Sequence, residues 1–170
     1  MHRTAQALIL LSLLLSAAIF GFFYAWVCST MWGLDNADPR VAIAAMQAMN
    51  ASVRNAVFAP AFFATPVVLA LTAALLRKQG FTPSAVLFAL GATVYLCFGL
   101  ILTMLVNVPM NEALAMQPVP ATAEAAESIW QGYSTRWQLW NQIRTVASGV
   151  SFLLTTCGLL ALPRTAPAAA

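Results

Sequence analysis

Four apolar runs, Ala5–Val27, Ala56–Leu76, Pro83–Val106 and Gln138–Leu162, each reach or exceed the about 20 residues that an α-helix needs to cross a hydrocarbon core. Inside a bilayer no water can satisfy backbone N–H and C=O groups, so runs of this length have to be helical. With 61% hydrophobic and 8% charged residues, the chain is far more apolar than a soluble domain of its length needs to be. These features predict an all-α protein, a four-transmembrane-helix bundle with short helical segments in its two outer loops. It is expected to form one domain over 1–162, followed by a disordered, alanine-rich tail at 163–170. The first run has a basic start and small residues at Ser16–Ala18, as a signal peptide does. Its apolar residues continue to Val27, past the length of a usual signal core, so it is expected to be retained.

The two sides of the bundle differ in composition. Arg3, Arg77, Lys78 and Arg164 sit on the plain side in short segments free of acids, whereas all five acids accompany Arg40, Arg54, Arg136 and Arg144 on the other. Short basic segments beside helix ends set orientation, so both termini are expected in the cytoplasm, in a bacterial inner membrane. The net charge of +3 is then a matter of topology, with no basic stripe for nucleic acid.

The far side holds all five tryptophans and all the asparagines: Trp26, Trp32, Trp130, Trp137 and Trp140, with Asn36, Asn50, Asn55, Asn107, Asn111 and Asn141. Unpaired amides are costly beside hydrocarbon, so this clustering predicts one polar, aromatic-walled site at one end of the bundle. Asp38 before Pro39 predicts a helix start there, with Gln47, Asn50 and Arg54 on one face, running into the second span with kinks at Pro60 and Pro66. Asn107 to Glu112, bounded by Pro118 and Pro120, predicts a short helical turn between prolines. Thr122 can cap a helix that merges with the fourth span, with Gly132 as its weak point.

On that last helix Trp130, Tyr133, Trp137 and Trp140 form an aromatic stripe. Asn141, Arg144, Ser148, Ser151 and Thr155 recur at intervals of 3, 4, 3 and 4, a polar seam that has to face inward. In the third span Gly99, Thr103 and Asn107 are expected to supply a facing seam with close backbone approach. Trp26, Trp32 and Trp130 read as interface anchors; Trp137 and Trp140 divide evenly between anchor and pocket wall. Arg144 needs a partner at its depth, with Glu112 the first candidate and Asn50 or Asn107 next. A structural ion pair and a functional arginine are equally consistent with the spacing.

Some chemistry is excluded by residue type. His2 is the sole histidine and lies on the plain side, which leaves no histidine-ligated haem, zinc, di-iron or copper centre within one chain. No phosphate loop, Ser-His-Asp set or CxxC occurs, and Cys28, Cys97 and Cys157 fall at different depths, the last two expected as buried inert thiols. Met46, Met49, Met104, Met110 and Met116 offer thioethers to Cu(I), although adaptable packing is the ordinary role of methionine, and no metal site is assigned.

Gly21-Phe22-Phe23-Tyr24, the run Ala45–Asn50, the run Asn107–Ala115, and Trp137, Trp140, Asn141, Arg144 and Thr145 together resemble the anthrone-oxygenase-like family of small four-helix membrane proteins, over nearly the whole chain. The resemblance implies oxidation of an anthrone- or hydroquinone-like aromatic by oxygen, with no metal or flavin cofactor. Arg144 would stabilise an oxyanion and Glu112 would act as base. Asn50, Arg54, Asn107, Asn111, Trp137, Trp140 and Asn141 would bind a small hydrophobic aromatic or quinone-like ligand. Many relatives carry histidine after the motif asparagine, where this chain has Gln142. The competing class is a membrane protein that binds a quinone, lipid or partner protein in the same pocket without turnover.

Overall fold

The computed structural model describes residues 3–163, which are all-helical, and the tail expected to be disordered lies almost wholly outside that range, as do His2 and Arg164. Four helices are long and apolar enough to cross a membrane: α1 (Arg3–Asp35), α3 (Phe58–Lys78), α4 (Thr82–Ala115) and α5 (Ala123–Leu160). A fifth, α2 (Pro39–Ser52), lies at the end remote from the N-terminus. Packing runs around a square, α1 against α3, α3 against α4, α4 against α5 and α5 against α1. Leu10, Leu14, Val67, Leu71, Leu105, Val146 and Leu153 are exposed on its outside, as expected of a surface whose solvent is lipid.

Local chemistry explains where the helices stop. Gly80, at φ 84°, ends α3 in the left-handed conformation that an L side chain resists, with Phe81 N–H returning to Leu76 O at 3.0 Å. Asp38 caps α2, accepting from Arg40 N–H at 2.9 Å. The bonds from Arg40 hold its carboxyl down to about 2. Thr122 Oγ1 accepts from Ala125 N–H and caps α5, which passes through Gly132 without a break. Pro66 inside α3 has no N–H for the carbonyl four residues back; that carbonyl, Phe62 O, instead accepts from the Tyr95 hydroxyl of α4 at 3.0 Å.

Several expectations change. The second-span helix does not continue from Pro39: α2 ends at Ser52, because Asn55 Oδ1 accepts from the N–H groups of Val57 (2.8 Å) and Phe58 (2.9 Å) and starts α3 afresh. Arg54 therefore sits in a turn rather than on a helix face shared with Gln47 and Asn50. The stretch from Asn107 is no isolated turn but the end of α4, widened over Thr103–Asn107 just before Pro109. Gly99 does not serve close approach between helices, since a Cβ there would meet the Tyr95 ring of its own helix at 2.6 Å. The α4–α5 approach uses Gly91 instead, where a Cβ would meet Ser151 O at 3.2 Å. Cys97 and Cys157 are exposed on the outside of the bundle rather than buried. Trp130 is buried, not an anchor: its indole N–H donates to Asp35 at 2.9 Å.

The inward seam on α5 is as expected, with Asn141, Arg144, Ser148, Ser151 and Thr155 all buried. Ser148 and Thr155 return hydrogen bonds to their own helix, and Ser151 donates across to Gly91 O at 2.8 Å. Polar side chains there are satisfied locally, and the unusual group on the seam is Arg144.

Candidate functional site

Three apolar clusters divide the bundle along its length. One near the termini is built on Leu69 and Phe88, a middle one on Phe23, Phe62 and Tyr95, and one at the far end on Met31, Ile43, Met46, Trp130 and Trp137. A chamber of about 560 Å³ opens near the last two, within the roughly 300–1,000 Å³ typical of small-molecule sites. Its wall is aromatic: Phe22, Phe23, Trp26, Phe58, Phe62 and Trp137 all line it. Trp26 meets Trp137 at 5.1 Å and Phe22 meets Phe58 at 4.7 Å between ring centroids. Trp26 belongs to a widened turn, Trp26–Thr30, and Thr103 and Met104 to another. Such insertions re-aim side chains and recur at functional sites.

Arg144 lines this chamber while only 5% exposed. Its guanidinium carbon lies 4.6 Å from the Phe23 ring centroid and 4.9 Å from that of Trp137, so it is held between aromatic faces. Nε donates to Asn141 Oδ1 at 2.9 Å and Nη1 to Thr103 Oγ1 at 3.4 Å; Asn141 Nδ2 in turn donates to Phe23 O at 3.3 Å. Two of five guanidinium N–H groups are thus engaged, and no carboxylate among the described residues pairs with it. Glu112, expected as its partner, bonds Arg54 instead at 3.1 Å, both side chains more than half exposed at the chamber rim. The turn at Asn55 carries Arg54 over the end of α4, which brings it within reach of Glu112.

Asn50, Arg54, Asn111, Glu112, Trp137 and Arg144 converge on the chamber; Asn107, Trp140 and Asn141 do not line it. Asn107 is fully enclosed, and neither amide atom has a partner among the described residues. Trp140 is half-buried and off the lining, while Asn141 acts through Arg144. Gln142 is exposed and off the lining as well, so a side chain at that position does not enter the chamber.

Asn111 is already spent on the protein. Its Oδ1 accepts from the Tyr133 hydroxyl at 2.8 Å and Trp137 Nε1 at 2.9 Å, and its Nδ2 donates to Asn50 Oδ1 at 3.0 Å. Asn50 Nδ2 reaches the Tyr133 oxygen at 3.4 Å, closing a ring of three side chains. Asn50 and Asn111 therefore orient Trp137, and through it the face on which Arg144 rests.

Sequence reasoning gave no site role to Thr103 or Asp35, and it reached Phe23 and Trp26 only as part of a motif and as an anchor. Asp35 accepts from Trp130, Ser134 at 2.7 Å and Gln138 at 2.8 Å, tying the end of α1 to α5. The signals were a Phe-rich stretch, Gly21–Tyr24, in α1 and a 4-residue donor spacing on α5, neither of which specifies a partner on another helix.

Four helices long and apolar enough to cross a membrane thus surround a buried arginine that faces an aromatic chamber. The chain belongs to the anthrone oxygenase family, whose family model matches residues 48–154, as the motifs implied. No curated protein and no solved structure matches it. The matched stretch includes the end of α2, all of α3 and α4, and α5 past Arg144, while Phe22, Phe23 and Trp26 of α1 lie outside it.

Proposed function

We propose that the protein oxidises an anthrone- or hydroquinone-like aromatic with molecular oxygen inside this chamber. The observation that carries the reading is Arg144, a buried cation without a carboxylate partner, facing a cavity shaped by flat aromatic side chains. Such a charge calls for an anion, and an anthrone that loses its benzylic proton places negative charge on its carbonyl oxygen. Arg144 stabilises that oxygen, and Trp137 and Phe23 hold the guanidinium against their rings. The carbanion then gives an electron to oxygen and bonds to it, the peroxide anion takes back the proton, and loss of water from the hydroperoxide yields the quinone. Overall one anthrone and one O₂ become one anthraquinone and one water. Glu112, the one acid on the lining, is the base candidate, with Arg54 beside it.

Oxygen uptake by the protein in vesicles supplied with anthrone tests this. Consumption of one O₂ per anthraquinone formed, at least about 100-fold faster than with Arg144→Met protein, is expected. A rate no greater than that of empty vesicles sinks the catalytic reading. The second reading, binding of a quinone or lipid without turnover, is favoured by one observation: Glu112 sits half exposed at the rim, bonded to Arg54.

The proposed orientation puts the termini and the Arg77-Lys78 turn in the cytoplasm and the chamber mouth outside. In a background lacking Cys28, Cys97 and Cys157, Ala125→Cys is expected to react with an impermeant maleimide from outside and Lys78→Cys to stay protected. Labelling of Lys78→Cys from outside reverses the topology.

A further inference from the structure

We propose that the chamber is loaded sideways from the bilayer, through a portal between α3 and α4 whose posts are Phe63 and Met104. The inference rests on the aromatic ligand of the proposed function and adds its route and its charge state.

The Tyr95 hydroxyl bond to Phe62 O ties α3 to α4 at the floor of the chamber. Beyond that tie the chamber occupies the space between α3 and the last turns of α4, lined by Phe62 and Phe63 on one side and Thr103, Met104 and Val108 on the other. Phe63 is 50% exposed and Met104 41% exposed, and both line the cavity, so neither is closed off by packing. Phe63 lies five residues into α3, about 7.5 Å along the axis, and Met104 eleven residues before the end of α4, about 16 Å. Both positions fall within helices long and apolar enough to cross a membrane. The polar part of the lining is of a different kind, with the exposed Arg54–Glu112 pair beside Asn55 and Ala56.

The two parts of the lining suit two charge states. A neutral fused-ring ketone partitions into hydrocarbon, whereas its enolate pays a large desolvation cost there. The apolar portal admits the uncharged form, which ionises only beside Arg144; the polar rim, with its carboxylate, serves the released proton. Met104 is unbranched and swings aside at little cost. The ligand class is thus an uncharged, planar, fused-ring carbonyl compound without ionic or sugar substituents.

Full-length protein in vesicles preloaded with 9,10-anthraquinone reports entry and exit through quenching of the emission of Trp26 and Trp137. Met104→Trp is expected to slow both rate constants about tenfold and leave Kd within about twofold, and Met104→Ala to raise both. Ala56→Trp, which adds the same indole at the polar rim, is expected to change the rates less than about twofold. Slowing by Ala56→Trp with unaltered kinetics in both Met104 variants overturns the portal, as does a wild-type protein that anthraquinone does not quench. The two readings separate cleanly. Portal kinetics without oxygen uptake would sink the chemistry alone, and normal turnover with unaltered Met104 variants would sink the portal alone.

Discussion

Arg144→Met is expected to abolish binding of an enolate or phenolate aromatic while changing folding stability by no more than about 1–2 kcal/mol. Three terms decide the stability. Burying a cation without a counter-ion costs several kcal/mol, a cost that methionine removes. Loss of the charge-assisted bond to Asn141 costs about 1.5–3 kcal/mol, and loss of the aromatic contacts about 2. The orphaned groups are partly provided for, because Thr103 still donates to Gly99 O and Asn141 still donates to Phe23 O. The opposing terms are of similar size, so the melting temperature in detergent should stay near wild type. Had Glu112 been the partner, the same substitution would have stranded a carboxylate, and Glu112→Gln would have rescued it. With Glu112 bonded to Arg54, no rescue is expected. A folded Arg144→Met protein that keeps its affinity for the ligand anion would remove the reason for assigning Arg144 a functional role. Arg144→Lys is expected to fail nearly as badly, since a compact ammonium cannot contact both rings and bond Asn141 and the ligand together.

The second large effect is predicted at Asn111. Asn111→Leu leaves the Tyr133 hydroxyl, the Trp137 indole N–H and Asn50 Oδ1 without their partner at once. At about 1–3 kcal/mol for each orphaned group, reduced by the part exposure of the site, destabilisation of about 2–4 kcal/mol is expected. Turnover should fall further than stability accounts for, because Trp137 loses the bond that fixes its ring against Arg144. A double-mutant cycle isolates the network: Tyr133→Phe should cost about 1 kcal/mol in the wild-type background and close to nothing after Asn111→Leu. Additive losses would show that the ring of Asn50, Tyr133 and Asn111 does not act as a unit.

The four spans, the inward polar seam of α5 and the family are legible in the sequence alone. Each depends on a periodicity or an ordered motif within one stretch of chain. Run length against bilayer thickness needs no partner. The interval of three and four from Asn141 to Thr155 needs none either, since polar groups on one helical face have to turn from lipid. The errors share a different origin. Val53–Val57 contains no glycine or proline and so predicts a helix continuing through Arg54, yet Asn55 competes for the backbone N–H groups and breaks it. Gly99 was assigned to a neighbouring helix although its space is filled by Tyr95 four residues back.

Pairing between helices belongs to the tertiary structure alone. Sequence determined that four arginines, six asparagines and several aromatic rings would crowd one end of a four-helix membrane bundle, because neither amides nor charges can be left facing hydrocarbon there. It could not determine that Glu112 would choose Arg54 over Arg144, or that Asn111 would be consumed by Tyr133 and Trp137. Those choices turn on ångström distances between α1, α2, α4 and α5, and two residues of equal chemistry on one helix face are indistinguishable until a neighbour approaches one of them. The fold supplies that neighbour: α1 brings Phe23 over Arg144, the Asn55 turn carries Arg54 to Glu112, and Arg144 is left as a buried cation facing an aromatic chamber.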